Sequence, residues 1–362
     1  MSSMKTASQR LGMVRGLSNL AKMPAGPPGR NARTGQTITV FGATGFVGRY
    51  LINELGRSGN SLVVATQGDD MGWRHLKPLA DYGKLVPSYM NMRDEDSVRK
   101  AIQGSDVVVN LQGKHYETKH AVPGIYNWKF EDIHVKAAET LARIAREEDV
   151  KHFVHLSSVA AADGAKSRWA ETKNRGDKAV TEQFPGAVIV KSNVIYGEED
   201  RLLNWYARMV RNLPAIPLVE GGEGKVRPVF VGDVAQALGV VANNWVTAGK
   251  TFELNGTHTY TYKEIAEYVG EQIQKPINFV DLPAEYAKYV GMVAEKLPNP
   301  ILTDDMFIQL QEDQLGAPGA DGFDALGITP VEMEQKGYNF LYKYRSGGHF
   351  VDPRSAKVEE HA

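Results

Sequence analysis

Two groups of residues in this chain could do chemistry. The first is the glycine set Gly42, Gly45 and Gly48 in TVFGATGFVGRY. It follows the β-rich run TITVF and enters a stretch, Gly45 to Gly59, whose apolar residues Phe46, Leu51, Ile52 and Leu55 have helical spacing. A strand that turns sharply into a helix beside a pyrophosphate needs places without a Cβ: at the turn, at the phosphate and where helix meets sheet. The helix N-terminus then offers N–H groups and the positive end of a dipole. The second group is Trp169 and Lys173 in RWAETK, shortly after HFVHLSS. An aromatic residue four positions before a lysine suggests the proton-donor pair of a reductase. That chemistry wants a phenol, which ionises near pH ~10 and is brought into range by a nearby ammonium. Trp169 offers an indole N–H, a donor only. Lost general acid–base catalysis is worth about 10²–10⁴-fold, so carbonyl reduction by that route is expected to be crippled.

The elements that must position these groups alternate from Thr37 onward. TITVF, SLVVATQ, KLVPSYM, DVVVNLQG, HFVHLSS and AVIVK read as six strands. Helical stretches separate them at Gly45–Gly59, SVRKAIQ, FEDIHVKAAETLARIAREE and the segment from Lys173 to Thr181. Continuous Val/Ile runs between helices predict a parallel sheet covered on both faces, a doubly wound Rossmann-type α/β fold. After Asn193 the alternation stops and Pro and Gly thicken, as in LPAIPLVEGGEGKVRP. The expected organisation is a basic segment and linker (1–36), a dinucleotide-binding domain (37–193), a smaller mixed lobe (194–345) and a polar tail (346–362). Two late stretches, LPAEYAKYVGMVAEKL and TDDMFIQLQEDQL, are amphipathic helices outside any βαβ unit. In the first, Tyr286, Tyr289, Val290, Val293 and Leu297 gather on one face, which packs on the chain itself, on a neighbouring subunit or on a membrane surface.

Composition narrows the classes. The chain has 362 residues, a formal net charge of −1 and no cysteine. That argues against a global nucleic-acid surface and excludes disulfides, thiol catalysis and Cys-ligated metal. FEDIH lacks credible zinc geometry, so no metal is expected. No run of ~18 apolar residues offers a membrane span. Lys5, Arg10, Arg15, Lys22, Arg30 and Arg33 all precede the first acid, Glu54, and Met13, Val14, Leu17, Leu20 and Ala21 share a helical face. This reads as a mitochondrial targeting segment, the alternative being a disordered basic arm. Thr66 or Gln67 stands at the end of strand two, where a carboxylate would grip a ribose 2′-hydroxyl; Asp69 and Asp70 come late. Arg49, with Arg74 as a second candidate, could meet a 2′-phosphate, so the cofactor is expected to be NADP(H).

The Gly pattern after strand one, NLQG after strand four, LSS ending strand five and the aromatic-xxx-Lys helix together resemble the extended or atypical short-chain dehydrogenase/reductase superfamily. RPVFVGDVAQAL and FELNGTHTYTYKEIAEYV resemble its later segments. A narrower likeness rests on FGATGFVGRYLINELGRSG, YETK, FEDIHVKAAETLA, KHFVHLSS, RHLKPLADYGKLV, IVKSNVIYGEEDRLLN and LGITPVEME. These look like the nucleotide-binding accessory subunits of mitochondrial respiratory complex I, of the alpha subcomplex subunit 9 type. The stretch HAVPGIYNW departs from that branch's usual spacing. The resemblance maps the catalytic serine to Ser158, with Ser157 beside it, the lysine to Lys173 and the tyrosine to Trp169, a degenerate site. Lys173 would still hold the nicotinamide ribose. The dinucleotide is expected at Gly42, Thr44, Gly45, Phe46, Val47, Gly48, Arg49, Gln67, Asn110, Leu111, Gly113, Ser157, Lys173 and Val194. Tyr116 and Tyr196 are the phenols that could replace the missing one. His134 stands where active relatives carry Asn, and His152 and His155 read as structural. The resemblance implies a non-catalytic NADPH-binding subunit on the matrix side of the mitochondrial inner membrane. It would support complex I assembly near the junction of its matrix and membrane arms, with other complex I subunits as partners and peripheral membrane contact. The alternative is an active NADP-dependent carbonyl reductase or nucleotide-sugar epimerase.

Overall fold

The computed structural model describes residues 35–118, 127–283, 286 and 303–345. The expected targeting segment, the linker up to residue 34, nearly all of the amphipathic stretch at 282–297, most of HAVPGIYNW and the polar tail lie outside these residues.

Seven strands make one parallel sheet: β1 (Thr37–Phe41), β2 (Ser61–Thr66), β3 (Leu85–Tyr89), β4 (Val107–Asn110), β5 (His152–Ser158), β6 (Val188–Ser192) and β7 (Thr251–Leu254). Their spatial order is β7-β6-β5-β4-β1-β2-β3. The winding reverses between β1 and β4, and in doubly wound sheets the ligand crevice opens at the carboxyl ends there. Alternate residues feed the two faces. Ile38 and Val40 pack with Leu51, Ile52 and Leu55 of α1 (Phe46–Arg57). Phe41, Val108 and Phe153 pack on the other side with α2 (Glu95–Ile102), α3 (Ala137–Glu147) and α4 (Arg168–Gln183). Thr39, fully buried in β1, is satisfied by the Ala101 carbonyl at 3.1 Å and the Ser105 hydroxyl at 2.6 Å.

The long predicted helix FEDIHVKAAETLARIAREE is not uniform. Glu131–Lys136 forms a π-helical turn before α3 begins at Ala137. Such turns re-aim side chains and recur at functional sites. Close against it runs α4, where Gly176 leaves room: a Cβ there would lie 2.0 Å from the His134 carbonyl oxygen.

Beyond Asn193 the chain contributes to the core of the main sheet and builds a second one. α5 (Leu203–Asn212), α7 (Tyr262–Ile273) and α9 (Met333–Leu341) close a second core with Ile216 and Leu218. Between them, α6 (Val231–Asn243) and β7 return to the main sheet. Val234, Leu238 and Val241 join α1 in its core, and β7 pairs with β6 from Thr251↔Ile189 to Leu254↔Ser192. Residues 231–254, expected in the smaller lobe, therefore belong to the sheet layer in space. The reason is hydrophobic: α6 is apolar on nearly every side and must be covered by more than one neighbour. α8 (Asp304–Gln311) follows the undescribed segment and lies against the N-terminus of α4.

Candidate functional site

The carboxyl ends of β1, β2, β3 and β4 surround a groove of about 480 Å³. Its floor is the turn from β1 into α1. Gly42 has φ +80, and a Cβ on it would lie 3.1 Å from the Leu111 carbonyl. Gly48 lies so close to the strand end that a Cβ would come within 2.4 Å of the Ala43 carbonyl oxygen. Gly45, the N-cap of α1, gives no side-chain cap, and no acid occupies the helix's first turn. The positive end of the helix is left for an anion. A pyrophosphate fits this donor set, and any side chain at Gly42 would narrow the space.

Of the residues expected at the dinucleotide, Gly42, Thr44, Gly45, Gln67, Leu111 and Gly113 line the groove. Phe46, Val47, Gly48, Arg49, Asn110, Ser157, Lys173 and Val194 are not in its lining. Phe46 lies against Gly197, where a Cβ would meet its ring at 3.0 Å. Arg49 pairs with Glu199 at 3.1 Å, and Tyr50 donates to the same carboxylate at 3.2 Å. Burial, with the Glu199 charge second, pushes the Tyr50 phenol up to about 12. The Val194 amide donates to Asn193 Oδ1 at 2.8 Å. At the end of β2 no carboxylate faces the groove. Asp69 caps the turn Asp70–Trp73 through the Gly72 amide at 3.2 Å, and Asp70 accepts from the Tyr89 hydroxyl at 3.4 Å. Residues the sequence reading did not select also form the wall, among them Met90, Met92, Trp128 and Ile133. For Met90 and Met92 a signal existed, since β3 ends beside β2 at the crevice. Trp128 had none, being carried by the chain beyond β4.

Lys173 stands just behind the wall. Its Nζ lies 3.5 Å from the place a Cβ on Gly113 would take and donates to the Leu156 carbonyl at 3.3 Å. Burial lowers its pKa, opposed by the Asp177 charge. Asp177 accepts from Ser157 Oγ at 2.8 Å and faces His155 Nε2 at 3.4 Å, while Asn110 Nδ2 donates to His155 Nδ1 at 3.1 Å. Ser157 and Asn110 are thus tied into a buried polar chain, and Ser158 Oγ accepts from the Ala160 amide at 3.3 Å. His152 bonds the Val241 carbonyl at 3.0 Å, holding β5 to α6.

Around Trp169 the hydrogen bonds close on themselves. Its indole Nε1–H donates to the Lys114 carbonyl at 2.7 Å. The Lys114 amide donates to His134 Nε2 at 3.3 Å. An accepting Nε2 leaves the ring proton on Nδ1, which donates to Thr172 Oγ1 at 3.0 Å. The Thr172 hydroxyl donates to the Trp169 carbonyl at 3.0 Å. His134 is only 3% exposed. Burial first, then the Lys173 charge, pushes its pKa down to about 2. The ring needs that neutral form, because an imidazolium could not accept from Lys114. Asp305 of α8 fixes the start of α4, accepting from the amides of Arg168 at 2.7 Å and Trp169 at 2.9 Å and from Ser167 Oγ at 3.0 Å. Sequence reasoning missed Asp305, which lies more than 130 positions along the chain from the helix it caps.

Neither candidate phenol lines the groove. Tyr196 is fully buried and its hydroxyl donates to the Val331 carbonyl at 3.1 Å. Tyr116 lies between Lys114, 5.7 Å from its ring centre, and Arg201, 5.9 Å away, outside the groove lining. Among the described residues, no group of three or more His, Asp or Glu side chains is placed to hold a metal ion. None of the described helices is long and apolar enough to cross a membrane.

A doubly wound sheet with a glycine cradle at its switch point defines a dinucleotide-binding protein of Rossmann type. The NAD dependent epimerase/dehydratase family model matches residues 38–254. The mitochondrial NADH-ubiquinone oxidoreductase 40 kDa subunit of Neurospora crassa is 37% identical over 332 residues, 91% of this chain and 85% of that protein. The mitochondrial NADH dehydrogenase (ubiquinone) 1 alpha subcomplex subunit 9 of Arabidopsis thaliana is 34% identical over 346 residues, 92% of this chain and 84% of its own. Among solved structures, the NADPH-dependent quinone oxidoreductase QOR2 of Escherichia coli complexed with NADPH shares the fold, with a TM-score of 0.66 at 17% identity, over 84% of this chain and 99% of that one. The chain belongs to the NAD dependent epimerase/dehydratase family and, within it, to the branch of the alpha subcomplex subunit 9 proteins.

Proposed function

We propose that this chain is an accessory subunit of mitochondrial respiratory complex I that holds NADP(H) and does not turn it over. The observation that carries the reading is the indole of Trp169. It stands where the superfamily's phenol would, and its one polar hydrogen is bonded to the Lys114 carbonyl at 2.7 Å. The place of a proton donor is taken by a group with no acid–base equilibrium near neutral pH that is already bonded to the backbone. The names of the relatives support the assembly and the mitochondrial location. The subunit belongs on the matrix side of the inner membrane, at the junction of the two arms, in contact with other complex I subunits.

The residues divide the dinucleotide between them. The Gly42–Gly48 turn and the N-terminus of α1 receive the pyrophosphate. Thr66 and Gln67 meet the adenine-side ribose without a carboxylate, which favours a 2′-phosphate over a bare hydroxyl. Lys173, beside Gly113, holds the nicotinamide ribose. Bound NADPH would supply a hydride donor, but Trp169 offers no phenol proton to accompany it. Its contribution here is to stability. A ligand far above its dissociation constant stabilises a fold by about 3–4 kcal/mol.

Native-gel separation of mitochondrial membranes tests the reading. The chain should migrate with a large NADH-oxidising assembly, and denaturation of that band should release NADP(H) in proportion to the chain. A chain found only outside any large assembly, reducing carbonyl compounds with NADPH, would contradict it.

A further inference from the structure

The ring of hydrogen bonds around Trp169 is more than dinucleotide binding requires. Leu111, Gln112, Gly113 and Lys114 form one part of the groove wall, and Trp128, Ile133 and Ala137 another. The two parts are stitched together. The Trp128 amide donates to Thr118 Oγ1 at 2.7 Å, the Thr118 amide to the Trp128 carbonyl at 3.1 Å and the Phe130 amide to Glu117 Oε1 at 3.1 Å. The stitched wall is then fixed to α4 through the bonds from Trp169 to Lys114 and from His134 to Thr172. Gly176 lets α4 approach the π-helical turn that carries His134, with no side chain between them. Every donor in the ring meets an acceptor, and Trp169 and His134 are both buried. Moving the wall away from α4 breaks several bonds at once and leaves buried groups unpaired, which makes the opening cooperative and slow.

We infer that Trp169, Thr172 and His134 form a clasp that holds the 111–118 wall against α4 and makes a bound dinucleotide a slowly exchanging resident. The inference rests on the reading that NADP(H) occupies this groove, and it adds what governs the cofactor's lifetime there. A working reductase must release its cofactor in each cycle. A structural ligand is better served by a wall that does not open. Trp169 thereby has a positive role: the indole N–H reaches the Lys114 carbonyl and completes the ring.

The test is the rate at which the full-length protein releases NADPH, followed by the loss of nucleotide fluorescence on dilution into excess NADP⁺. Thr172→Val, which keeps the shape and removes the hydroxyl outside the groove lining, should speed release on the order of tenfold or more. Trp169→Phe should do the same. The double variant should release no faster than the faster single one, because either change opens the same ring. Thr172→Ser should return release to within about twofold of wild type. In the wild type, hydrogen exchange at the Lys114 amide should be slowed by bound NADPH, a measurement that needs no variant. Unchanged release in Thr172→Val and Trp169→Phe, with only the melting temperature lowered, would overturn the clasp and leave the functional reading standing. A wild-type chain that binds no dinucleotide would overturn both.

Discussion

At the glycine end of the groove the backbone makes the site, and side chains are kept away. Behind the wall beside Lys173, side chains are bonded to one another and to the backbone. Gly42 and Gly48 hold positions that a Cβ would disturb, and α1 presents an uncapped N-terminus. Behind the groove wall, Trp169, Thr172 and His134 close a ring with the backbone of Lys114. The contrast teaches that the phosphate cradle and the position of the superfamily's phenol are built by different elements. The phosphate cradle belongs to the β1–α1 turn, whereas the position aligned with the superfamily's phenol belongs to α4.

The contrast can be broken first at the glycine end. Gly48→Val forces a side chain against the Ala43 carbonyl and should weaken NADPH binding on the order of a hundredfold, read by fluorescence titration. If binding survives unchanged, the cradle is not the anchor. The lysine end predicts a pH dependence. The unfolded chain protonates His134 near pH ~6.5, but the folded chain holds it neutral down to about 2. Its contribution is therefore complete above ~6.5 and lost as the pH falls below that value. By pH 5 the loss amounts to about 2 kcal/mol. His134→Asn should flatten that part of the acid limb in denaturant titrations, and an unaltered slope would show that His134 titrates normally.

Gln67→Asp sharpens the comparison at the adenine side. A carboxylate at the end of β2 should shift preference from NADPH toward NADH by on the order of tenfold, measured as the ratio of dissociation constants. The smallest effect belongs to the exposed pair Arg49–Glu199. Glu199→Gln should change stability by no more than about 0.5 kcal/mol in chemical denaturation. A loss of several times that would mean the pair anchors the 198–199 turn to α1.

Much of the sheet was legible because burial on both faces demands unbroken Val and Ile runs, as in DVVVN and HFVHL. β7 was not. TFEL is four residues long and carries a glutamate, and nothing local says that it pairs with β6 some sixty positions earlier. The glycine cradle was legible because its three absences of Cβ fall within seven residues. The ring was not, because Lys114, His134, Trp169 and Thr172 are ordinary residue types brought together by three different elements. Trp169 and His134 each stood out as departures from an active site, but that one replacement bonds through Lys114 to the other appears only in three dimensions. The π-helical turn that aims His134 has no counterpart in the helical spacing of FEDIHVKAAETLARIAREE.

The central claim is that NADPH is held here and not consumed. The direct measurement is to load the purified chain with NADPH carrying deuterium at the transferable position of the nicotinamide. It is then incubated with carbonyl and quinone acceptors, and both nucleotide and acceptors are analysed. The account predicts that the bound nucleotide keeps its deuterium and stays reduced. Deuterium appearing in an acceptor over many turnovers, and abolished by Lys173→Met, would contradict it.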